Sequence, residues 1–130
     1  LQKKQKETIF WKYNRRCSYC GADLNPFRWS VDHIVSQNNG GPHDQHNLTP
    51  SCPRCNRAKA DLTLDEFRDW LASYIARRIR DILPRLEAAW WIADKDRESY
   101  ISNLINIARA LEEQKPTFYM ETVVAYDGKE

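Results

Sequence analysis

The chain has 130 residues, 42% of them hydrophobic and 29% charged, and its formal net charge is +2. This length suits one ordinary core, or a small metal-supported module with a helical appendage, and it does not suit two full domains. Because no apolar run is long enough to span a bilayer and no secretion signal precedes the first helix, we expect a cytoplasmic protein with no membrane partner.

The predicted elements begin with a helix and a short strand. Residues 2–14 place apolar side chains on one face, which is typical of a helix. The segment 29–35 alternates in character and is rich in β-branched residues, so Asp32 and His33 are expected at the end of a strand. The run 37–42 consists of turn-forming residues and predicts a loop after that strand.

Four cysteines form two C-x-x-C pairs, Cys17 with Cys20 and Cys52 with Cys55. Each pair brings two sulfur atoms close enough to share one tetrahedral zinc ion. Zinc is favoured over disulfides because the expected compartment is reducing. A zinc ion with four protein ligands has no open position for water, so any reaction must use other groups.

The second cysteine pair opens a short predicted helix. Pro53 suits its first turn, and the helix is expected to run to about Lys59. Asn56 and Lys59 are three residues apart and therefore share a face. Arg54, Arg57 and Lys59 are candidates for phosphate contact, although an exposed lysine at a helix end needs no function.

Positive charge is concentrated in the first half of the chain. Residues 1–60 carry ten Lys and Arg against four Asp and Glu, whereas residues 61–130 carry ten against fourteen. Four thiolates around zinc would subtract about two charges from the first half and leave it positive. The first half therefore favours a phosphate-rich ligand such as nucleic acid.

The second half predicts helices. Thr63 to Glu66 form a capping-box signature that opens a long amphipathic helix. Pro84 is expected to kink or restart it, with Trp90 directed inwards on the segment that follows. Asp94 or Asp96 is expected to cap a further helix, which ends before residue 116.

The chain resembles the HNH endonuclease family over about residues 15–60. The resemblance rests on a spaced set of residues: Cys17, Cys20, Asp32, His33, Asn47, Cys52, Cys55 and Asn56. It implies an α+β fold, a small zinc-stapled ββα-metal module of treble-clef type, which a helical C-terminal extension follows. We expect the nuclease module at 1–60, the helical extension at 61–115, and a tail at 116–130 that is an edge strand or simply ordered.

The resemblance also implies the roles of the site residues. His33 is the candidate general base of phosphodiester hydrolysis. Asp32 and Asn56 would offer oxygen ligands to Mg²⁺ or Mn²⁺, and Asn56 stands where many family members have a histidine. Asn47 would hold the loop and the base in place. The expected activity is nicking of one DNA strand per site, which leaves 5′-phosphate and 3′-hydroxyl ends.

Several alternatives stay open at this stage. His43 and His46 are interpreted as solvent-facing or loop-stabilising, with His46 a distant second choice for the base. A noncatalytic zinc module that binds nucleic acid or protein would keep the cysteines and the basic half, but would have no use for Asp32, His33 and Asn56 in register. DNA is expected over RNA, and the helical extension could form a homodimer or join a larger assembly.

Overall fold

A computed structural model describes residues 1–128 and confirms the predicted α+β class. The α-helices are α1 (Lys3–Trp11), α2 (Pro53–Lys59), α3 (Leu64–Glu87) and α4 (Asp94–Glu113); the strands are β1 (Ser30–His33) and β2 (Leu48–Ser51). Short 3₁₀ helices lie at Gln37–Asn39 and Tyr119–Glu121. Within the described range, no helix combines the length and apolarity needed to cross a membrane.

The chain divides into two compact units. Residues 1–67 and 117–128 form the first unit, and residues 68–116 form the second. The cysteines, the sheet and every predicted site residue belong to the first unit, together with the first turn of α3. Residues 117–128 therefore lie in the same compact unit as residues 1–67.

A two-stranded antiparallel sheet lies at the centre of the first unit. In its register Asp32 of β1 is opposite Thr49 of β2, and His33 is opposite Leu48. Helix α2 packs against β1, and α1 packs against β2. This order of strand, loop, strand and helix is the predicted ββα module, and it brings Asp32 and His33 next to the helix that carries the second cysteine pair.

Aromatic packing joins the tail to this module. Phe118 is fully buried, and its ring lies 5.4 Å from the rings of both Tyr19 and Phe67. The backbone N–H of Met120 donates to the Ser18 carbonyl at 2.8 Å, beside the first cysteine pair. The tail is thus ordered, and residues 117–128 contain no strand. Positions 129 and 130 of the expected tail lie outside the described residues.

The second unit contains the rest of α3 and all of α4. Helix α3 continues through Pro84, which lies in its last turn, so the restart predicted at this proline is wrong. Trp90 is 83% exposed, not directed inwards, because it lies in the turn between the helices and not on a helical face. The N-cap of α4 is Ala93; Asp94 and Asp96 lie in its first turn.

Candidate active site

The four cysteines of the two C-x-x-C pairs converge. Cys52 is the N-cap of α2 and Cys55 lies in its first turn, while Cys17 and Cys20 flank the turn after α1. Their sulfur atoms all lie within 4.8 Å of one another, and the Cys20 and Cys52 sulfurs are 3.9 Å apart. Tetrahedral zinc with bonds of about 2.3 Å separates its sulfurs by about 3.8 Å, whereas a disulfide requires about 2.05 Å. The cluster has the dimensions to hold a structural zinc ion.

Backbone hydrogen bonds fix the turn that carries the first pair. The Cys17 N–H donates to the Ala22 carbonyl, and the Gly21 N–H donates to the Cys17 carbonyl, both at 2.9 Å. Gly21 has a φ of +75°, a conformation that glycine adopts without steric cost. Hydrogen bonds among the thiols lower the pKa of Cys20 and raise the pKa of Cys55, so the four groups titrate as one interacting cluster.

Asp32 is 8% exposed and is held on one side only. Its Oδ2 atom accepts a hydrogen bond from the Tyr19 Oη at 2.5 Å and lies 3.3 Å from the Lys59 Nζ. Burial and the charge of Asp32 raise the pKa of Tyr19, so the phenol stays a donor. Within residues 1–128 no hydrogen bond engages Oδ1. One carboxylate oxygen is therefore fixed, and the other is left available for a ligand.

Lys59 occupies a different environment from the one predicted for a phosphate contact. It is fully buried, and its Nζ donates to the His33 carbonyl at 2.9 Å besides pairing with Asp32. A buried ammonium that is already paired has no free charge to offer a phosphate on the surface. We correct this prediction: Lys59 holds Asp32 and the backbone of His33 together. Its position on α2 also explains why this helix packs on β1.

His33 ends β1 with its side chain half-buried. Its Nε2 atom lies 2.9 Å from the Nδ1 atom of His43, and the two ring centroids are 5.2 Å apart. The sequence interpretation missed this contact. No signal in the sequence predicts it, because the nine residues between the histidines form a loop whose path depends on tertiary contacts. The ring of His46 makes no hydrogen bond within the described residues.

Asn47 is buried and pins the loop between the strands. Its Oδ1 accepts from the Val35 N–H at 2.9 Å, and its Nδ2 donates to the carbonyls of Val35 at 2.9 Å and Pro42 at 2.8 Å. Its own carbonyl accepts from the Ile34 N–H at 2.8 Å. One side chain thus closes the loop directly after His33.

Asn56 lies on α2, directly after the last cysteine. Its backbone takes part in the helix, through a bond from its N–H to the Cys52 carbonyl at 3.0 Å. Its side chain is half-buried, and its amide makes no hydrogen bond to residues 1–128. Lys59, three residues further along α2, binds Asp32 and His33 on β1. The same helix therefore supplies a free amide oxygen close in the fold to the strand that carries the carboxylate.

Exposed arginines lie near the cysteine cluster. Arg54 and Arg57 project from α2 and line an open cavity of about 350 Å³ together with Arg28 and Cys52. Arg28, which precedes β1, was not singled out in the sequence because its neighbours are Pro26, Phe27 and Trp29 and the nearest other basic residues are Arg16 and Arg54. Three guanidinium groups and the carboxylate of Asp23 line this depression, so its net charge is positive and suits phosphate.

A ββα module that carries a four-cysteine cluster and a strand ending in Asp-His is typical of one class of nuclease domain. Residues 17–62 match the model of the HNH endonuclease family, which confirms the resemblance over this segment. The segment contains all eight residues that define the pattern. Residues 17–62, about a third of the chain, are thus similar to an HNH endonuclease domain. No curated protein matches the chain.

Proposed function

We propose that the chain is a Mg²⁺- or Mn²⁺-dependent endonuclease that hydrolyses one phosphodiester bond of DNA per active site. The observation that carries the proposal is the buried Lys59, which binds the Asp32 carboxylate and the His33 carbonyl at once. Lys59 thereby fixes two adjacent residues with different chemical roles: Asp32, whose carboxylate has a free oxygen for a metal ion, and His33, whose imidazole can accept a proton. A noncatalytic binding module would have no use for that juxtaposition.

His33 acts as the general base. A neutral imidazole accepts a proton near physiological pH, and in this site it takes that proton from the water that attacks phosphorus. The half-buried position at the end of β1 holds the ring while leaving it accessible. General-base catalysis contributes about 10²- to 10⁴-fold to a rate, so loss of this imidazole should remove most of the activity.

Asp32 and Asn56 would hold the divalent ion. The free Oδ1 of Asp32 and the unbonded amide of Asn56 are hard oxygen donors, which favour Mg²⁺ or Mn²⁺ over softer metals. When bound, such an ion neutralises charge on the phosphate and on the departing 3′ oxygen. Asn47 keeps the loop after His33 closed, and Arg54 and Arg57 contact the phosphates that flank the cut.

Nicking of supercoiled plasmid by the zinc-loaded protein tests the proposal. We expect conversion to the open-circular form that requires added Mg²⁺ or Mn²⁺ and is lost in His33→Ala and Asp32→Asn. His46→Ala is the matched control, because it removes an exposed histidine of the same loop whose ring makes no hydrogen bond to residues 1–128. Bound but intact plasmid with every ion, together with intact single-stranded and duplex RNA, would contradict the proposal and favour a noncatalytic zinc module.

A further inference from the structure

We infer that His43 is a positioning residue that fixes the tautomer of the general base His33. The inference rests on the proposed function of His33 and deepens it. Its starting point is the 2.9 Å separation between the His33 Nε2 and the His43 Nδ1. At that distance the two nitrogens share one hydrogen, because two lone pairs would repel each other and two N–H groups would clash.

Only one of the two arrangements lets His33 work as a base. If the His43 Nδ1 carries the hydrogen, it donates to the His33 Nε2; the neutral His33 then carries its own hydrogen on Nδ1 and has no free lone pair. If the His33 Nε2 carries the hydrogen and donates to His43, the His33 Nδ1 keeps a lone pair for the proton of the attacking water. His43 therefore selects the competent form when its own hydrogen is on Nε2, the nitrogen that faces away from His33.

The loop that carries His43 is held without help from this ring. Asn47 donates to the Pro42 carbonyl on one side of it, and the Asp44 Oδ1 accepts from the backbone N–H groups of His46 at 2.9 Å and Asn47 at 3.3 Å on the other. The ring of His43 is exposed, so its burial contributes little to the fold. Because the backbone is fixed on both sides, the contact with His33 is what the side chain itself adds.

Replacement by asparagine separates positioning from structure. The Oδ1 atom of an asparagine at position 43 can occupy nearly the place of the histidine Nδ1, and it can only accept a hydrogen bond. His43→Asn should therefore preserve the competent tautomer of His33, while His43→Ala releases it. His46→Ala is the control for any general effect of losing a loop histidine.

Steady-state nicking by the zinc-loaded full chain gives the first readout. We expect His43→Ala to lower kcat about tenfold or more, as loss of an orienting partner of a histidine does, with KM within about twofold. His43→Asn should stay within about threefold of the wild type, and His46→Ala should not differ from it. Equal kcat values for His43→Ala and the wild type, or an equal loss in His43→Asn and His43→Ala, would overturn the inference.

The second readout does not depend on nuclease activity. Long-range ¹H–¹⁵N correlation spectra distinguish the Nδ1–H and Nε2–H tautomers of His33 in the zinc-loaded protein. We expect Nε2–H in the wild type and His43→Asn, and a mixture in His43→Ala. An Nδ1–H tautomer in the wild type, or the same tautomer in all variants, would overturn the inference even if the protein cleaves DNA. Absence of cleavage with the expected tautomers would instead overturn the role of His33 as base and leave the positioning intact.

Discussion

The cysteine cluster and the proposed active site around His33 hold their candidate ligands by different means. Within each cysteine pair the two sulfur atoms are placed by local geometry, in a tight turn for one pair and at a helix N-terminus for the other, and the Ser18 N–H joins the two segments by donating to the Pro50 carbonyl. Asp32 and His33 are instead placed by partners far away in sequence, above all Lys59, which lies 26 residues after His33. All four sulfurs converge on one point, whereas Asp32 and Asn56 keep atoms free. A structural metal site fills its positions, and a reactive site leaves some open.

Tyr19 connects the two regions. It lies between Cys17 and Cys20, yet its Oη donates to the Asp32 Oδ2. Its ring also packs against Phe67 and Phe118, so the tail supports the same side chain. The turn that carries the first cysteine pair therefore contacts the Asp32 carboxylate directly. A single hydroxyl group, that of Tyr19, links the cysteine cluster to the proposed active site.

Loss of a cysteine should have the largest effect. Cys17→Ser removes a buried zinc ligand, and structural zinc contributes roughly 10–16 kcal/mol in small zinc-dependent peptides, as much as a whole domain's stability. We expect loss of bound zinc and of cooperative thermal unfolding, measured by metal analysis and circular dichroism. Ala22→Ser, an exposed change in the same turn, should retain both. If the Cys17→Ser protein keeps its zinc and its melting transition, the cysteine cluster is not a structural metal site, and the contrast with the site around His33 does not hold.

Lys59→Met should have the second largest effect. Removal of one member of a buried ion pair leaves an uncompensated charge and costs about 3–5 kcal/mol, which denaturant unfolding would measure. The double variant Lys59→Met with Asp32→Asn is the sharper test, because it leaves no buried charge and should recover part of that stability. If the single and double variants are equally unstable, the lysine stabilises by packing alone and not by holding Asp32.

Gly41→Ala should disturb the reactive region without affecting zinc. A Cβ atom at this position would lie 1.8 Å from the Val35 carbonyl oxygen, inside the loop that Asn47 closes. We expect a loss of roughly 2–3 kcal/mol in unfolding free energy and of most nicking activity. Gly40→Ala is the matched control; it meets nothing within 4 Å, and its positive φ costs only about 1 kcal/mol. Equal behaviour of the two variants would contradict this description of the loop.

Tyr19→Phe should have the smallest effect on the fold and is the most informative about the link between the regions. It keeps the aromatic packing but removes one hydrogen bond to a charged acceptor, worth about 1.5–3 kcal/mol. We expect full zinc content, a modest loss of stability and a clear fall in kcat, because Asp32 loses a partner. Unchanged kcat would mean that the turn does not position the carboxylate.

Sequence reasoning succeeded where spacing alone determines geometry. Two C-x-x-C pairs, Pro53 at the start of α2 and the capping box at Thr63 all depend on residues a few positions apart, and each was placed correctly. The burial of Lys59 depends on how α2 packs on β1, and the contact between His43 and His33 depends on the path of the loop that follows β1. No local sequence pattern predicts either. The prediction that Trp90 is directed inwards was wrong for a related reason, because it extended the helical periodicity through a turn.

Binding of Mn²⁺ to the zinc-loaded protein tests most directly whether the two regions are separate metal sites. Electron paramagnetic resonance measures free Mn²⁺, which gives bound Mn²⁺ by difference, and metal analysis of the same samples counts zinc. We predict one Mn²⁺ per chain in the wild type, lost in the Asp32→Asn, Asn56→Ala double variant, which still holds one zinc. Equal Mn²⁺ binding by both proteins, or loss of zinc together with Mn²⁺, would contradict the division between a structural cluster and a reactive site.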